Sequence, residues 1–255
     1  MAVLTYVARV IDTLDPHSPF HIVGATRPGR WLIVCDHATN RVPLEIGNLG
    51  LPGADMERHI AYDIGALGVS RALGEILDAP VVSSNFSRLV IDPNRGEDDP
   101  TLIMQLYDGS IIPGNRALDA GMRARRLTDY YTPYHDAIAA LAVGRQICSV
   151  HSFTPQLRGR APRPWEVGVL FAEDERLSAP LIEELRGDPS LTVGVNQPYT
   201  GALPGDTIDR HALRHGRLNV LIELRNDLIC DEAGQKAWAE RLIAPLEAAL
   251  NKAVL

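Results

Sequence analysis

The sequence predicts an α/β protein with a central sheet between two helical layers. Short, nearly continuous apolar segments such as WLIVCDH (31–37) and LNVLIELR (218–225) are typical of strands that are buried on both faces. Segments with apolar residues at helical spacing lie between them, as in DIGALGVSRALGEIL (63–77), where Asp63 is placed as the N-cap. Strands that alternate with helices in this way favour a mixed, largely parallel sheet in a three-layer α/β/α arrangement.

The remaining elements follow in order along the chain. APVVSSNFSRLVIDPNR (79–95) contains two β-rich pieces, the second of which ends at Asp92. Residues 96–115 are rich in Gly, Pro and Asp, which predicts a long surface loop. Residues 116–143 are predicted to be helical, with a kink or interruption at Pro133. Further strands are predicted at 146–151, 165–171, 191–196 and 218–225, and further helices at 176–187 and 232–253.

Composition and charge narrow the class of protein. The 255 residues, 45% apolar and 22% charged, are ordinary for a globular chain, and we find no linker or repeat, so one domain over 1–255 is predicted. The net charge of −7 argues against a nucleic-acid partner, and no apolar run approaches the roughly 20 residues that span a bilayer. Cys35, Cys148 and Cys230 lack CxxC spacing, which predicts reduced core thiols in a cytoplasmic protein. The oligomeric state stays open.

Polar side chains gather where the predicted strands end. They are Asp36, His37 and Asn40 after the first strand, Asn94 and Arg95 after RLVID, His151 after ICSV, and Glu223 within NVLIELR. Taken singly, each has a structural explanation: a core histidine, an ion pair to an arginine, or a turn. Because parallel strands end at one edge of a sheet, these side chains are expected to lie together, and imidazoles with a carboxylate are standard zinc ligands.

Several segments resemble a known family. VHSFTP, IDPNR and LIELRND resemble pieces of zinc carboxypeptidase-like amidohydrolases. More closely, the ordered set CDHATNRVP, HIAYDIGA, SRLVIDPNR, DGSIIPGNR, YYTPYH, HSFTP, GVLF, TIDRH and IELRNDLI resembles the N-formylglutamate amidohydrolase family over residues 31–230. This resemblance implies a zinc-carboxypeptidase-like fold and one zinc ion per chain. It also implies cleavage of a short N-acyl group from a small anionic amino acid, most closely N-formyl-L-glutamate to formate and glutamate.

The resemblance implies that His37 and His151 are zinc ligands, but it leaves the third ligand open. The carboxypeptidase pattern H-x-x-E places Asn40 where a glutamate is expected, and an amide is a poor zinc ligand. In the carboxypeptidase pattern, the glutamate opens a helix. Asp63 also opens a predicted helix, and it is our expected ligand. The alternatives are Asn40 through its amide oxygen, Asp36 and His59.

The resemblance also implies roles around the metal. Glu223 would be the general base that activates the attacking water, and its apolar flanks would raise its pKa. Arg88 is the candidate catalytic arginine that polarises the scissile carbonyl oxygen, and a second candidate for holding the substrate carboxylate. The other expected substrate-binding residues are Asn94 and Arg95, Arg163 in the basic loop RGRAPRP (158–164), and Tyr199 as a mobile cap.

Two other functions stay open at this point. The chain could be a zinc hydrolase of another N-acyl amino acid or small peptide. Alternatively, Asn40 could mark a relative that has lost its metal and only binds a small molecule. A buried general base at Glu223 argues against a pure binder, which has no use for one.

Overall fold

The computed structural model describes residues 15–254, and its centre is a seven-stranded sheet. The strands are β1 (Phe20–Val23), β2 (Trp31–Cys35), β3 (Val81–Ser84), β6 (Gln146–Phe153), β7 (Val167–Leu170), β8 (Val193–Val195) and β9 (Asn219–Arg225), with β4 (Leu106–Tyr107) and β5 (Ser110–Ile111) in a separate hairpin. Their order in the sheet is β1-β3-β2-β6-β9-β7-β8. Strands β3, β2, β6 and β9 are parallel, whereas β1 pairs antiparallel with β3 and β7 with β9.

Helices cover both faces of this sheet. The α-helices of the described residues are α1 (Gly53–Met56), α2 (Ala66–Ile76), α3 (Pro113–Arg116), α4 (Ala120–Arg126), α5 (Thr132–Leu141), α6 (Ser178–Arg186), α7 (Thr207–His211) and α8 (Glu232–Ala253). Helices α2, α6 and α8 contribute to the apolar cluster on one face, and α5 and α7 contribute to the cluster on the other. The predicted class, a three-layer α/β fold with a mixed, largely parallel sheet, is confirmed. None of the described helices is long and apolar enough to cross a membrane.

Strand β2 shows why the central strands have no polar face. Trp31, Ile33 and Cys35 belong to the apolar cluster on one side of the sheet, and Leu32 and Val34 to the cluster on the other. All five side chains are buried because successive residues of a strand point to opposite faces and both faces are covered by helices. The uninterrupted apolar run therefore follows from the three-layer arrangement.

The helix predicted at 63–77 is present, but Asp63 is not its N-cap. Helix α2 begins at Ala66, and the N-cap is Gly65 in the left-handed conformation with φ 81°. A Cβ atom at Gly65 would lie 2.0 Å from the backbone oxygen of Ile229, so this close approach requires glycine. The N-cap prediction was wrong because the Asp63 carboxylate is used elsewhere.

The second β-rich piece of 79–95 is not a strand, and that prediction was also wrong. After β3 the backbone forms turns, in which Ser87 N–H donates to Arg41 O at 2.7 Å and Val90 N–H to Ser87 O at 2.9 Å. Leu89, Val90 and Ile91 are nonetheless fully buried. A buried turn and a buried strand both consist of apolar residues. The apolar pattern alone therefore does not distinguish a turn from a strand.

The other predicted elements lie where they were expected, with three adjustments. The predicted loop 96–115 contains the β4–β5 hairpin and α3. The predicted helix 116–143 is interrupted as expected, by a π-helix at Leu127–Tyr131 that places Pro133 in the first turn of α5. Strand β6 runs to Phe153, so His151 lies within it.

Two further sequence predictions concern the whole chain. Cys35 and Cys148 are buried free thiols, as predicted, but Cys230 is exposed and is not a core thiol. The prediction of one domain over 1–255 includes residues 1–14 and 255, which lie outside the described residues, and it stays a prediction.

The packing of α8 can be tested with a pair of leucines. Leu242 is fully buried between α8 and the sheet, whereas Leu44 is 90% exposed. We expect Leu242→Ala to lower the free energy of unfolding by about 2 to 5 kcal/mol, because it removes buried methyl groups and leaves a cavity. Leu44→Ala should change it by less than about 0.5 kcal/mol. Urea unfolding measures both, and equal effects would contradict the position of α8.

Candidate metal centre and active-site cavity

Two histidines meet at the carboxyl edge of the parallel strands. His37 follows β2 by two residues, and His151 lies near the end of the neighbouring strand β6. Their rings are buried, with centroids 4.9 Å apart in an edge-to-face arrangement. The parallel pairing of β2 with β6 brings the two residues together, although they are far apart in sequence.

Asp63 lies between these histidines. Its Oδ2 atom is 3.2 Å from His37 Nδ1 and 2.9 Å from His151 Nδ1. The Asp63 N–H donates to His37 O at 2.9 Å, which holds the chain after α1 against the end of β2. One donor atom from each of the three residues lies within 4.8 Å of the others, so the group has the dimensions and the donors of a metal site.

Each imidazole contacts a further aspartate through its other ring nitrogen. His37 Nε2 is 2.7 Å from Asp92 Oδ1, and His151 Nε2 is 3.1 Å from Asp36 Oδ2. A carboxylate at Nε2 accepts its N–H and leaves the Nδ1 lone pair for a cation, the arrangement usual around metal-bound histidines. The sequence pattern predicts no role for Asp92 and indicates Asp36 only as an alternative ligand. An aspartate that ends an apolar run was the one signal available.

The alternative ligands are placed differently. Asn40 Nδ2 donates to Met56 O at 2.9 Å and to Glu57 Oε1 at 3.2 Å, so this amide is used to hold the end of α1. His59 Nδ1 lies 3.3 Å from Asp63 Oδ1, beside the three-residue cluster. The geometry therefore favours Asp63 as the third donor.

The charges around the cluster favour a cation. Burial acts to raise the pKa values of Asp63 and Asp92, but His37 next to Asp63 and Arg88 next to Asp92 hold both well below 3.8. Burial acts to lower the pKa of His151, yet hydrogen bonds with Asp36 and Asp63 raise it well above 6.5. The carboxylates thus stay ionised and favour a positive charge near the imidazoles, which a divalent cation would supply. The donor set fits zinc.

The cluster forms one wall of a cavity of about 230 Å³. All the sequence-predicted site residues except Arg163 line this cavity: His37, Asp63, Arg88, Asn94, Arg95, His151, Tyr199 and Glu223. Leu170, Leu203 and Leu221 form an apolar part of its wall. The fold therefore brings the candidate ligands, base and substrate-binding groups into one space.

Glu223 is buried beside the cluster with an unpaired oxygen. It lies opposite His151 in the parallel pairing of β9 with β6, and it is 6% exposed. Its Oε2 atom has no hydrogen-bond partner, and no described arginine lies within ion-pair distance, so the ion-pair alternative from the sequence is not observed. Burial raises the pKa of Glu223 to about 8.

Arg88 is held by the aspartates of the site. It lies in the buried turns after β3. One terminal nitrogen lies 3.4 Å from Asp63 Oδ1 and the other donates to Asp92 Oδ2 at 2.9 Å. Its charge thus offsets part of the buried negative charge, and neither terminal nitrogen is free of a carboxylate.

The expected substrate-binding groups separate into two sets. Asn94 and Arg95 line the cavity, with Asn94 Oδ1 accepting from Thr207 N–H at 3.2 Å and Arg95 Nη1 donating to Asn94 O at 2.7 Å. Arg163 does not line it: its Nη1 donates to Thr154 O at 3.0 Å, and its guanidinium carbon lies 5.1 Å from the centre of the Tyr199 ring. Arg163 therefore contacts Tyr199, which does line the cavity.

Fold and site together define an α/β protein with a buried His-Asp-His cluster at the carboxyl edge of its sheet. The model of the N-formylglutamate amidohydrolase family matches residues 29–230, and the chain belongs to this family. The resemblance of the sequence to this family is confirmed. The protein is therefore an amidohydrolase, an enzyme that acts on amide bonds.

Two solved structures are similar over nearly their whole length. Gene product Atu2144 from Agrobacterium tumefaciens is 37% identical, with 95% of this chain and 99% of that chain covered and a TM-score of 0.89. N-formylglutamate amidohydrolase from Ralstonia eutropha JMP134 is 22% identical, with 92% and 98% covered and a TM-score of 0.69, and it supports the fold. No curated protein matches the sequence.

The raised pKa of Glu223 makes a prediction about stability and pH. In the unfolded chain this carboxyl group has a pKa of 4.5, whereas in the folded protein it is about 8. The stability that it contributes is therefore fully present below pH 4.5 and is lost as the pH rises through about 8, because the folded state retains a proton that the unfolded state releases.

We expect Glu223→Gln to remove this contribution. In the presence of a chelator, the free energy of unfolding should fall less steeply between pH 5 and pH 8 in the variant than in the wild type. Urea unfolding at several pH values measures it, and the exposed Glu240→Gln is the matched control. Parallel wild-type and Glu223→Gln profiles would contradict a protonated, buried Glu223.

Proposed function

We propose that this protein is a zinc-dependent amidohydrolase that removes a formyl or other short acyl group from an acidic amino acid. N-formyl-L-glutamate, cleaved to formate and glutamate, is the substrate that its family suggests. One observation carries the proposal: the His37-Asp63-His151 cluster and the unpaired oxygen of Glu223 face the same small cavity.

Three atoms would hold the ion. They are Nδ1 of His37, Nδ1 of His151 and Oδ2 of Asp63, which are turned toward one another. Three protein donors are the number usual in catalytic zinc sites. When bound, the ion supplies positive charge that makes water more acidic and polarises a carbonyl group.

Glu223 would carry the proton through the reaction. Its carboxylate accepts a proton from the attacking water and then delivers it to the nitrogen that leaves as the amine of the product. Burial, which raises the pKa of Glu223, makes this carboxylate a stronger base than an exposed one and suits it to take up a proton and pass it on. The apolar side chains of Leu170 and Leu221 in the cavity wall exclude water around it.

The substrate would be oriented by groups on the remaining walls. Arg95, whose guanidinium is planar and always charged, suits a carboxylate, and Asn94 lies beside it in the cavity. The Tyr199 side chain, held by Arg163, borders the same space and would close over the bound substrate.

We further propose that the substrate is small and anionic and that the protein has no nucleic-acid or membrane partner, in line with its composition. We also propose that the enzyme is cytoplasmic, in line with its free thiols.

A specific observation favours a second candidate, hydrolysis of another N-acyl amino acid. Leu170, Leu203 and Leu221 give the cavity an apolar wall, and such a wall suits an aliphatic acyl group or side chain. Comparing N-formyl-L-glutamate with N-formyl-L-leucine under the same conditions separates the two candidates. The metal-free binder stays the least supported function, because it leaves the unpaired Glu223 without a role.

The metal assignment is tested by removing the third donor. We expect purified wild-type protein to contain about one zinc per chain, as one three-ligand site requires. Asp63→Ala should lose the zinc together with formate release from N-formyl-L-glutamate, because only two imidazole donors remain. Metal analysis and a formate assay measure both, and the exposed Asp98→Ala is the control. Zinc that survives in Asp63→Ala would exclude Asp63 as a ligand.

The role of Glu223 is tested with an isosteric amide. Glu223→Gln should lower kcat on the order of 10²-fold to 10⁴-fold, because glutamine cannot accept the proton. Zinc content and the affinity for the substrate should stay close to those of the wild type. Steady-state kinetics and calorimetric titration measure the two effects. A variant with unchanged kcat would contradict the base assignment, and a wild type that binds without turnover would favour the binder.

A further inference from the structure

The aspartate that holds His151 has only uncharged donors besides that histidine. Asp36 is fully buried, and no arginine or lysine of the described residues lies within ion-pair distance of its carboxylate. Asp92, which contacts the other imidazole, is paired with the Arg88 guanidinium at 2.9 Å. A buried carboxylate without a cationic side chain beside it depends on its hydrogen bonds. The hydroxyl groups around Asp36 therefore decide how firmly this carboxylate is held.

Thr207 makes the shortest of these hydrogen bonds. Its Oγ1 atom donates to Asp36 Oδ1 at 2.6 Å, whereas Tyr134 Oη donates to the same oxygen at 2.8 Å. Ser149 Oγ donates to Asp36 Oδ2 at 3.2 Å, and this second oxygen also lies 3.1 Å from His151 Nε2. Thr207 is fully buried and does not line the cavity. Its hydroxyl therefore acts on the site through Asp36 and not through the substrate.

The backbone of the same residue reaches the substrate-binding side of the cavity. Thr207 N–H donates to Asn94 Oδ1 at 3.2 Å. Since this bond occupies the amide oxygen, the Nδ2 group of Asn94 is the part of the amide that remains to donate in the cavity that Asn94 lines. A donor at this position suits a substrate carboxylate. Thr207 thus contacts one expected substrate-binding residue and, through Asp36, one candidate metal ligand.

The segment before Thr207 is fixed against the loop that follows the two expected substrate-binding residues. Gly205 has φ 80°, and a Cβ atom there would lie 2.6 Å from Gly96 Cα, so this close approach of two backbones requires glycine. Asp206 is the N-cap of α7, and its Oδ1 accepts from Asp209 N–H at 2.7 Å. These contacts set the start of α7, and with it the direction of both donors of Thr207, before any ligand binds.

We propose that Thr207 is a positioning residue, whose hydroxyl orients Asp36 and through it the candidate metal ligand His151. Its backbone N–H orients Asn94 at the same time, so the start of α7 aligns the metal side of the cavity with its substrate side. This inference rests on the proposed zinc-dependent function. Thr207 itself contacts neither the ion nor the substrate.

Removal of the hydroxyl tests this role. Thr207→Val keeps the branched shape and the backbone N–H, but Asp36 loses its shortest hydrogen bond. We expect the dissociation constant for zinc, measured by competition with a chelator, to rise on the order of tenfold, the lower end of the effect of removing a group that orients a metal ligand. The KM for N-formyl-L-glutamate should change by less than about threefold, because the N–H donor to Asn94 remains.

A second pair of variants repeats the comparison with a smaller side chain. Thr207→Ser keeps a hydroxyl and should bind zinc within about threefold of the wild type. Thr207→Ala differs from it by that hydroxyl alone and should bind zinc as weakly as Thr207→Val. The exposed Thr128→Val is the matched control and should equal the wild type. Zinc is added to metal-free samples that circular dichroism shows to be folded.

Two results would overturn the proposal. One is a zinc dissociation constant of Thr207→Val within about threefold of the wild-type value. The other is equal zinc binding by Thr207→Ser and Thr207→Ala, because the hydroxyl would then not act on the metal site. A lower unfolding temperature with unchanged zinc binding belongs to the first result, and it would mean that Thr207 serves the fold alone.

The zinc measurement needs no substrate, so it separates this proposal from the reaction. If the wild type binds zinc but cleaves neither N-formyl-L-glutamate nor N-formyl-L-leucine, the proposed reaction fails, and the zinc dissociation constants still decide the role of Thr207. If the wild type releases formate and all Thr207 variants bind zinc equally, only the role of Thr207 fails. If the wild type binds no zinc, the proposed function and the role of Thr207 fail together.

Discussion

The carboxylate of Asp63, buried between two imidazoles, is the constraint on which the rest of the site depends. An ionised carboxylate inside a protein is costly unless charged or hydrogen-bonding partners surround it. His37 and His151 face one oxygen of Asp63, while His59 and Arg88 flank the other. Satisfying this one group fixes the ends of two strands, the turns after β3 and the start of α2. The cavity exists because these segments converge there.

The support extends outward from this carboxylate through a second ring of aspartates. Asp36 Oδ1 accepts hydrogen bonds from Tyr134 Oη on α5 at 2.8 Å and from Thr207 Oγ1 on α7 at 2.6 Å. Its other oxygen contacts His151 on β6. Asp36 thus joins the sheet to the helical layer on one face, so the orientation of a candidate ligand depends on the packing of that layer. Such networks hold donors in place before an ion or a substrate arrives.

Much of the site could be anticipated because strand ends have a recognisable pattern. The apolar runs before His37 and His151 are strands, and they place these two residues near the carboxyl edge of the sheet, whatever their partners are. The run before Asn94 has the same pattern but forms a buried turn. For Asp63, the prediction from the local sequence was wrong. Its position before a helical segment predicts an N-cap, but Gly65 takes that role, and the carboxylate turns to the histidines. Arg163 shows the same weakness, since a basic loop beside a site does not reveal which side chain reaches the cavity.

The sequence by itself determined the layer architecture, the parallel strands with both faces buried and the polar ends of those strands, because side-chain periodicity depends only on local geometry and burial. Tertiary structure alone decided which carboxylates pair with which imidazoles. It also decided that residues 85–92 form a buried turn and that Asn40 bonds to the end of α1 instead of the site. The physical reason is that a buried polar group is satisfied by whatever partner lies within about 3 Å, and only the packing of distant segments sets that distance.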